Sequence, residues 1–531
     1  MFSGYPYSAQ PWSADGRDVR AYFDMTMDLT ASLTLKIYVS TAAGFATLPT
    51  DLPANQPFRG VLQSFTFDRS IMQQNIGQFT TGTGQLVISN ADANYDFLPL
   101  SYAIDGRPIT VRVGRLDRAY DETFTVAKVT AADWNIDTDA ITIDLEDFSY
   151  KLEVPMQPNV YGGAGGADGG SDLAGKRKPL AFGNPRNITP VLLVPSLLIY
   201  QAHDGPLQSI DAVYDKGAAL AAGADVANYA ALASASVSAG QYATCKAQGL
   251  FKLGSNALGI VTADVKGDNS DGYITTSADI ARWALRHRTS LVDPDDLDVA
   301  SFAAVNAAQP APIDYFISSD DSPTVAAFIQ NIMGGIGGWG GHKLDGTFEV
   351  RIFQAPTGNP VDLFDRGDMV AANGDIKRQP LPSEYLPPRW RWRVPYARCW
   401  TVQTTDIAGT VSATRKAFLA EDFRLAEATS NTILTDHPFA QDRDPVQSYF
   451  SLQSDAAAEA SRLIDLFKTT RAIYRFPVPR RALRRDIGDE IQVTHPRFDL
   501  SHGRAMIIVE TRVSVSPADS SLDTVEIAAY G

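Results

Sequence analysis

A regular alternation of apolar and polar residues between Thr81 and Gly114 constrains the fold more than any other stretch of the chain. The apolar positions recur at every second residue, at Leu86 and Ile88 and again at Ile109, Val111 and Val113. A period of two is typical of a strand with one buried face, and the interspersed glycines indicate turns. The stretch therefore predicts two strands joined by a polar turn region. It contains no nucleophile–base set, so it predicts scaffold rather than catalytic machinery.

The same alternation recurs on both sides of this stretch and again at the far end of the chain. Residues 28–39 alternate without interruption and are predicted to form one strand, and similar patterns cover 65–67, 124–126 and 141–145. Further strands are predicted at 473–478, 490–494, 506–515 and 524–529. In the N-terminal region, turn residues at intervals of roughly 10 to 20 positions favour a barrel or a sandwich.

With 531 residues the chain is too long for a single core, because cores stop growing beyond about 250–300 residues. We predict four parts from the order of the patterns. An N-terminal β-domain spans 1–160, and a glycine-rich hinge with a second β-rich domain spans 161–272. A helical insert with a β-hairpin spans 273–376, and a C-terminal β-domain spans 377–531, with one amphipathic helix at 455–471.

The formal net charge of −15 argues against tight binding of DNA or RNA, since such proteins present a basic face to the phosphates. It is compatible with a passage through which DNA slides without adhering, and with acidity that only maintains solubility. We therefore expect no specific nucleic-acid binding.

The two cysteines, Cys245 and Cys399, form neither a disulfide framework nor a metal-binding pair of neighbouring thiols, which favours synthesis in a reducing cytoplasm. We see no signal peptide in the first residues and no apolar run as long as a membrane span. An extracellular role is then expected to follow from lysis or from incorporation into a particle.

Two loop motifs resemble ligand sites but depart from their patterns. The glycine-rich stretch 161–172 is interpreted as a hinge, because the later Gly175-Lys176 is followed by Arg177 rather than by the Ser or Thr of a phosphate-binding loop. Residues 265–272 look like a calcium loop, but alignment of Gly272 with the glycine of that loop places Gly267 at the first ligand position and Ala278 at the last. A solvated turn is therefore predicted there.

Helices are predicted between the two β-rich ends. One is expected from Ala278 to about Leu291, capped by Thr276 or Ser277, and another from Ser322–Pro323 to Gly334–Gly335. The stretch 339–350 has the form of two strands around an Asp-Gly turn. The alternating tryptophans and arginines at 390–393 could stack nucleic-acid bases, but they also fit a strand with an aromatic face in the core and arginines outward, which we favour.

No catalytic, cofactor-binding or metal-binding residues are predicted. The six histidines form no HExxH motif, and no GxSxG elbow is present. Two carboxylates could act as glycosidase partners in almost any acidic protein, so their number carries little weight. We expect that the chain is not an enzyme.

The last strands carry the most specific pattern: Ile487-Gly-Asp-Glu-Ile-Gln-Val493, then Ile507-Ile-Val-Glu510 and Val525-Glu-Ile527. This order resembles the closing barrel of bacteriophage tail hub proteins, the central proteins of the baseplate or tail tip. The helix from Ser322 with its following hairpin looks like the helical insert of the same family. The stretch 81–114 is similar to the N-terminal domains of tail-tip proteins in long-tailed phages and gene-transfer-agent-like particles.

The resemblance implies a mainly β, multi-domain fold with α+β inserts, in which two tail-tube-like β-barrel domains flank a mixed region. It implies a homotrimer whose six β-domains form a pseudo-six-fold ring at the end of the tail tube, around a channel for DNA or the tape-measure protein. The implied partners are a distal tail protein ring, the tape-measure protein and receptor-binding or tail-fibre proteins. The implied location is the virion, at the tail tip or baseplate, after synthesis in the host cytoplasm.

The alternative function is a tail protein that binds or cleaves carbohydrate on the host surface. Its candidate glycan contacts are Trp339, Trp390 and Trp392, with Trp400 as a further aromatic residue of the same kind. Each of these tryptophans could equally be a core or interface residue. A secreted enzyme of another type is a third possibility, which the missing signal peptide disfavours.

Overall fold

A computed structural model describes residues 19–29, 33–41, 43–71, 81–115, 119–369, 376–382, 385–515 and 524–531. Strands make up 38% of the structure and helices 20%, whereas globular proteins average about 20–25% strand. The fold is therefore mainly β, with several sheets and multiple domains, as predicted. The described strands do not close a barrel.

Among the described residues, the N-terminal region contains eight strands and one short α-helix. They are β1 (Val19–Leu29), β2 (Leu33–Ser40), β3 (Leu62–Ser70), β4 (Thr83–Ser89), α1 (Leu98–Ser101), β5 (Tyr102–Ala103), β6 (Pro108–Arg115), β7 (Phe124–Ile136) and β8 (Ala140–Glu146).

A second group of strands forms smaller sheets in the middle of the chain. The strands are β9 (Leu180–Phe182), β10 (Val191–Val194), β11 (Ile199–Gln201), β12 (Leu207–Asp215), β13 (Ala218–Ala219), β14 (Ala221–Asp225), β15 (Gln241–Cys245), β16 (Leu250–Leu253) and β17 (Val261–Asp268). The short helix α2 (Tyr229–Ser234) lies between β14 and β15.

A mixed region follows. Its elements are α3 (Ser277–Arg288), α4 (Val299–Ala308), β18 (Tyr315–Ile317), α5 (Val325–Gly334), β19 (Gly338–His342), β20 (Phe348–Ile352), β21 (Asp362–Phe364), β22 (Lys377–Gln379), β23 (Arg389–Tyr396), α6 (Ala413–Leu419), β24 (Arg424–Thr429), α7 (Asn431–Asp436), β25 (Gln441–Asp442) and α8 (Gln453–Phe467). The chain ends in β26 (Ile473–Pro479), β27 (Glu490–His495), β28 (Leu500–Val515) and β29 (Thr524–Tyr530).

The two β-rich ends of the chain join in one sheet, which has 14 strands among the described residues. Its main path runs β2-β1-β6-β7-β8-β4-β3-β28-β29-β26-β22, with β27 and β21 branching from β28 and β5 from β1. The join is the antiparallel pairing of β3 with the second half of β28, whereas the first half of β28 pairs with β27.

Strand β28 contributes side chains to the core of the N-terminal region as well as to its own. Val513 and Val515 lie opposite Phe67 and Phe65, and all four are buried in one apolar cluster with residues of β4, β6, β7 and β8. Earlier along the same strand, Met506 and Ile508 pack in the C-terminal cluster. One strand therefore belongs to two cores.

Charged side chains follow the same join across the sheet. Arg512 of β28 pairs with Asp68 of β3 at 3.3 Å, and Arg475 of β26 pairs with Glu510 at 2.7 Å and with Glu526 at 2.9 Å. Opposite charges on neighbouring strands stabilise a sheet modestly and disfavour other registers. These ion pairs thus support the register in which β3, β28, β29 and β26 pair.

The largest core lies outside this sheet, in the mixed region. Helices α3, α4, α5 and α8 pack there with the hairpin β19–β20 and the sheet β24-β23-β25, through buried residues such as Ala278, Phe302, Phe328, Trp392 and Leu463. Residues 389–467 thus share a core with residues 277–352. The four-part division made from the sequence stays a prediction.

Most of the predicted elements are confirmed, with corrections at their ends. The helix at 278–291 is α3, which begins at Ser277 with the Thr276 side chain as its cap. The helix predicted from Ser322–Pro323 begins at Val325, because Thr324 supplies the cap. The amphipathic helix predicted at 455–471 is α8 and ends at Phe467. Helix α4 was not predicted.

The single strand predicted at 28–39 is wrong. Asp28 and Leu29 belong to β1 and residues 33–39 to β2, and the two strands pair antiparallel, with Asp28 opposite Thr34. Because apolar residues continued at every second position through residues 30–32, the sequence pattern did not reveal the break. Those three residues lie outside the described part of the chain.

We predict that Phe67→Ala weakens both ends of the chain. Removing a buried Phe side chain costs about 3–5 kcal/mol, and Phe67 packs beside Val513 in the shared cluster. Hydrogen exchange should therefore accelerate in β29 as well as in β4. Phe439→Ala, which truncates a side chain that is 82% exposed, is the matched control. Faster exchange confined to the N-terminal strands would contradict the shared core.

Candidate functional site

Three parts of the fold meet at Arg69, a fully buried arginine at the end of β3. Its guanidinium forms an ion pair with Asp486, in the loop before β27, and donates to the carbonyl of His342 in β19 at 2.6 Å. Only 2% of Arg69 is exposed. One cation thus binds the N-terminal strands, the C-terminal sheet and the hairpin of the mixed region.

A second ion pair extends this contact from β20. Arg351 donates to Glu349 at 2.8 Å and to Asp489 at 3.3 Å, and the Asp489 carboxylate accepts the backbone N–H of Asp486 at 3.0 Å. We call Arg69, Glu349, Arg351, Asp486 and Asp489 the junction cluster. Buried charges that bind one another across separate elements fix the arrangement of those elements, since a misplaced charge has no partner.

Burial changes the proton affinity of two groups here. Burial raises the pKa of Glu349 to about 7, although Arg351 opposes the shift. Burial lowers the pKa of His342 to about 3, helped by the positive charges of Lys151 and Arg69. The His342 imidazole is therefore neutral at physiological pH, and the Glu349 carboxyl changes its protonation near neutrality.

The main sheet ends in two short edges. At one end, β2 pairs with β1, and the backbone of Tyr38 and Ser40 bonds to Arg59 on its outer side. By the alternation of a strand, Lys36 directs its N–H and C=O to that outer side too, where no described residue bonds them. At the other end, β22 pairs with β26, and its three residues are exposed.

The three tryptophans proposed as glycan contacts lie in the mixed region, and two of them are deeply buried. Trp339 in β19 is 2% exposed and Trp392 in β23 is 4% exposed, whereas Trp390 is half-buried. Trp339 packs against residues of the C-terminal sheet and α8. Trp400 is half-buried and packs beside Tyr315 and Tyr449.

The ring of Trp392 is covered by its neighbours. Phe467 stacks on it with 5.2 Å between the ring centroids, and the Arg389 guanidinium lies 4.6 Å from its centroid. Tyr385 in turn stacks on Phe467 at 4.8 Å. A sugar that binds by stacking needs an open ring face, so the contact that Trp392 can still offer is through its indole N–H.

The preferred interpretation of residues 390–393 is confirmed. They lie in strand β23, with Trp392 in the core. On the other side of the strand Arg391 forms an ion pair with Asp442, and Arg393 forms one with the same carboxylate at 3.4 Å. These arginines bind the neighbouring strands β24 and β25.

A cleft of about 980 Å³ lies between the hairpin β19–β20, α5, β23 and α8. Trp339 and Trp392 both line it, together with Tyr385 and the backbone of Gly338 and Gly340. Its size is at the upper end of the roughly 300–1,000 Å³ typical of ligand pockets. The sequence indicated two of its aromatic residues but not the cleft itself.

One buried histidine has a carboxylate and a hydroxyl nearby, but the directions of their hydrogen bonds indicate a structural role. His203 accepts the N–H of Ala181 at its Nδ1 (3.0 Å), so its Nε2 carries the proton and donates to Asp268 at 3.1 Å. The Ser270 hydroxyl donates to Asp268 and not to the imidazole. Within the described ranges no three His, Cys, Asp or Glu side chains are grouped to hold a metal ion.

No described helix has the length and hydropathy needed to cross a membrane.

No protein-family model matches the chain, and no curated protein sequence is significantly similar to it. Solved structures do match. A tail protein from Neisseria meningitidis MC58 is 8% identical, with 96% of each chain covered and a TM-score of 0.37. The 43 kDa tail protein of prophage MuSo2 from Shewanella oneidensis is 10% identical, with 95% of this chain and 96% of that chain covered and a TM-score of 0.35.

A chain of the virion of a native gene transfer agent particle also matches. It is 13% identical, 67% of this chain and 84% of that chain are covered, and the TM-score is 0.39. These three structures are described as tail proteins and as a gene transfer agent particle. Because these TM-scores describe a loose likeness, we argue the function from the contacts of the chain itself.

We predict that Arg69→Met lowers the free energy of unfolding by about 3–5 kcal/mol, the usual cost of removing one partner of a buried ion pair. The double variant Arg69→Met/Asp486→Asn should lose less than the sum of the two single variants, because the pair is coupled. Arg59→Met is the matched control. It breaks an exposed pair with Asp92, which is worth at most about 1 kcal/mol. Equal losses in denaturant unfolding would contradict the structural role of Arg69.

We predict that Glu349 makes unfolding depend on pH between about 4.5 and 7. Its folded pKa is raised from 4.5 to about 7, so the stability it contributes is complete below the unfolded pKa and is lost as the pH rises through the folded pKa. The difference in unfolding free energy between the wild type and Glu349→Gln should change by up to about 1.4 kcal/mol per pH unit in this window. Because His342 titrates in both proteins, it cancels in this difference. A difference that does not vary with pH would contradict the prediction.

Proposed function

We propose that this chain is a structural protein of a phage tail, the hub of the tail tip or baseplate, and that three copies form a ring. The observation that carries the proposal is the single sheet that joins both β-rich ends of the chain through β3 and β28. A sheet fused in this way and fastened by the junction cluster behaves as one rigid segment. A rigid segment whose two terminal strands still offer backbone groups without a partner among the described residues is suited to repetition.

The two edges suggest how neighbouring copies would meet. The outward backbone of Lys36 in β2 lacks a partner among the described residues, and β22 presents three exposed residues, Lys377, Arg378 and Gln379. Pairing of β2 with β22 of the next copy would satisfy both edges. Because β22 has only three residues, it offers a short edge, which limits open-ended addition of strands and is compatible with a closed ring.

The pseudo-six-fold symmetry follows from two β-regions in each of three copies. We further propose that each region is one of the tail-tube-like barrel domains implied by the sequence resemblance, completed by strands of its neighbours. This is supported by the comparable size of the two regions, with β1–β8 on one side of the join and β21, β22 and β26–β29 on the other.

The ring would surround a channel for DNA or the tape-measure protein. A net charge of −15 favours a lining to which a duplex does not adhere. In this proposal the chain has no enzymatic role, and its location is the tail tip of the virion. Its partners are a distal tail protein ring, the tape-measure protein and receptor-binding or tail-fibre proteins. The covered ring of Trp392 gives no support to the carbohydrate alternative.

We predict that the double variant Lys36→Cys/Arg378→Cys gives a covalent trimer on oxidation. Both positions are exposed, and the two native cysteines are buried, so the new thiols should react selectively. A non-reducing gel should show a circular trimer, and negative-stain micrographs a six-lobed ring. Each single variant is a control and should stop at a dimer or below. A protein that stays monomeric at its highest soluble concentration and forms no cross-linked ring would refute the proposal.

A further inference from the structure

Strand β19 has one edge that faces the cleft. Its other edge pairs with β20, and two hydrogen bonds at the ends of the hairpin set the alternation: Phe353 donates to Gly337 at 3.0 Å, and Lys343 donates to Thr347 at 2.8 Å. In an antiparallel pair, every second residue bonds the partner strand and the residues between them point away.

It follows that Gly338, Gly340 and His342 direct their N–H and C=O groups away from β20. The carbonyl of His342 confirms this direction, because it accepts the Arg69 guanidinium at 2.6 Å. The same alternation holds on β20, where the outward N–H of Phe348 bonds Asp296 at 2.7 Å. The outer edge of β20 is thus covered by this chain.

On the outer edge of β19 the carbonyl of His342 has a hydrogen-bond partner, whereas the backbone groups of Gly338 and Gly340 have none among the described residues. Among the described residues, nothing bonds the outward N–H and C=O groups of Gly338 and Gly340. Gly338 is buried and Gly340 is half-buried, and both line the cleft. A polar backbone group that is buried without a partner costs about 1–3 kcal/mol, so such groups are normally paired.

A third unpaired group lies in the same cleft. The indole N–H of Trp392 is buried and has no hydrogen-bond partner in the described part of the chain, and Trp392 lines the cleft as well. Its stacking on Phe467 and the Arg389 guanidinium over its ring hold the indole in place. The cleft therefore contains the unpaired backbone groups of Gly338 and Gly340 and the unpaired indole N–H of Trp392.

We propose that this cleft binds an extended peptide segment of another protein, which adds as a strand to the edge of β19. A peptide backbone carries donors and acceptors at the same two-residue spacing as Gly338 and Gly340, which is the basis of strand addition. The glycines present no side chain against which the added strand would have to pack. A carbonyl of the same segment, or one of its side chains, accepts from the Trp392 indole.

The walls of the cleft define the class of segment. Alternate side chains of an added strand point to opposite faces. The cleft is lined both by the aromatic residues Tyr385, Phe467 and Trp392 and by charged residues such as Asp444 and Glu459, so an added strand would meet apolar and polar walls. The segment should therefore alternate apolar and polar residues. This binding does not depend on ring formation, since neither β2 nor β22 contributes to the cleft.

The test selects nonapeptides from a fully randomised library against the full-length chain and measures the affinity of the enriched peptides by fluorescence anisotropy. We expect peptides of alternating polarity. Backbone N-methylation at the residues that pair with β19 should weaken them at least tenfold, and methylation at the intervening residues should not. Because the N-methylated peptides are tested on the wild-type protein, a loss of binding in this experiment cannot come from a misfolded variant.

Variants of the chain supply the second arm. Gly340→Pro removes the outward N–H without taking a donor from the pairing with β20, and it should weaken binding at least tenfold. Gly340→Ala is its matched control, because it adds the same Cβ beside Phe348 but keeps the N–H, and it should bind as the wild type does. Trp392→Phe should weaken binding several-fold while it keeps the stack.

Three outcomes would overturn the proposal. The library could yield no enriched peptide, or the enriched peptides could bind Gly340→Pro as tightly as Gly340→Ala and tolerate N-methylation at every position. The third is a glycan array in which sugars bind and lose affinity in Trp392→Phe while no peptide is enriched, which would assign the cleft to carbohydrate. None of these outcomes bears on the cross-linked ring, so the two proposals fail separately.

Discussion

The pairing of β3 with the second half of β28 is the contact on which the rest of the structure depends. It places Val513 and Val515 among the aromatic residues of the N-terminal core, while the first half of the same strand closes the C-terminal core. Apolar burial is worth about 25 cal/mol per Å², and here one strand supplies it to two regions. A chain without this contact would hold two separate β-regions with no fixed relation.

The junction cluster adds orientation to this join. Buried ion pairs contribute little net stability, because desolvation of the charges offsets most of their attraction. Their effect is on geometry: Arg69 has its partners only when β3, β19 and the loop at Asp486 lie together. The mixed region is thereby held against the sheet at one defined position. The cleft beside β19 owes its shape to the same contact, since Arg69 bonds the end of that strand.

Local patterns in the sequence were sufficient for most elements. The alternation at Leu86 and Ile88 defined β4, the cap at Thr276 defined the start of α3, and the stripe from Ala456 to Phe467 defined α8. Helix α4 escaped because its residues are almost uniformly small and apolar, without a polar face to mark the period. The boundary between β1 and β2 escaped because the alternation continued into residues 30–32.

Local sequence patterns could not predict the contacts between distant parts of the chain. Arg69 occupies the same face of β3 as the buried Phe65 and Phe67, so a charged residue at an inward position was the signal that could have revealed the junction cluster. Its partner Asp486 lies 417 residues away, and no local rule pairs them. The tryptophans at 339 and 392 were noticed for their ring faces, whereas the cleft that they share depends on the packing of β19 against β23 and α8.

The position of β28 has a consequence for biosynthesis. Strand β3 ends at Ser70, and its partner residues are at 510–515. At about 5–20 residues per second, a ribosome needs on the order of half a minute or more to translate the stretch between them. Until then the edge of β3 and the rings of Phe65 and Phe67 lack their cover, and an exposed apolar strand invites aggregation. The nascent N-terminal region therefore exposes an apolar strand edge to solvent until the other end of the chain has been made.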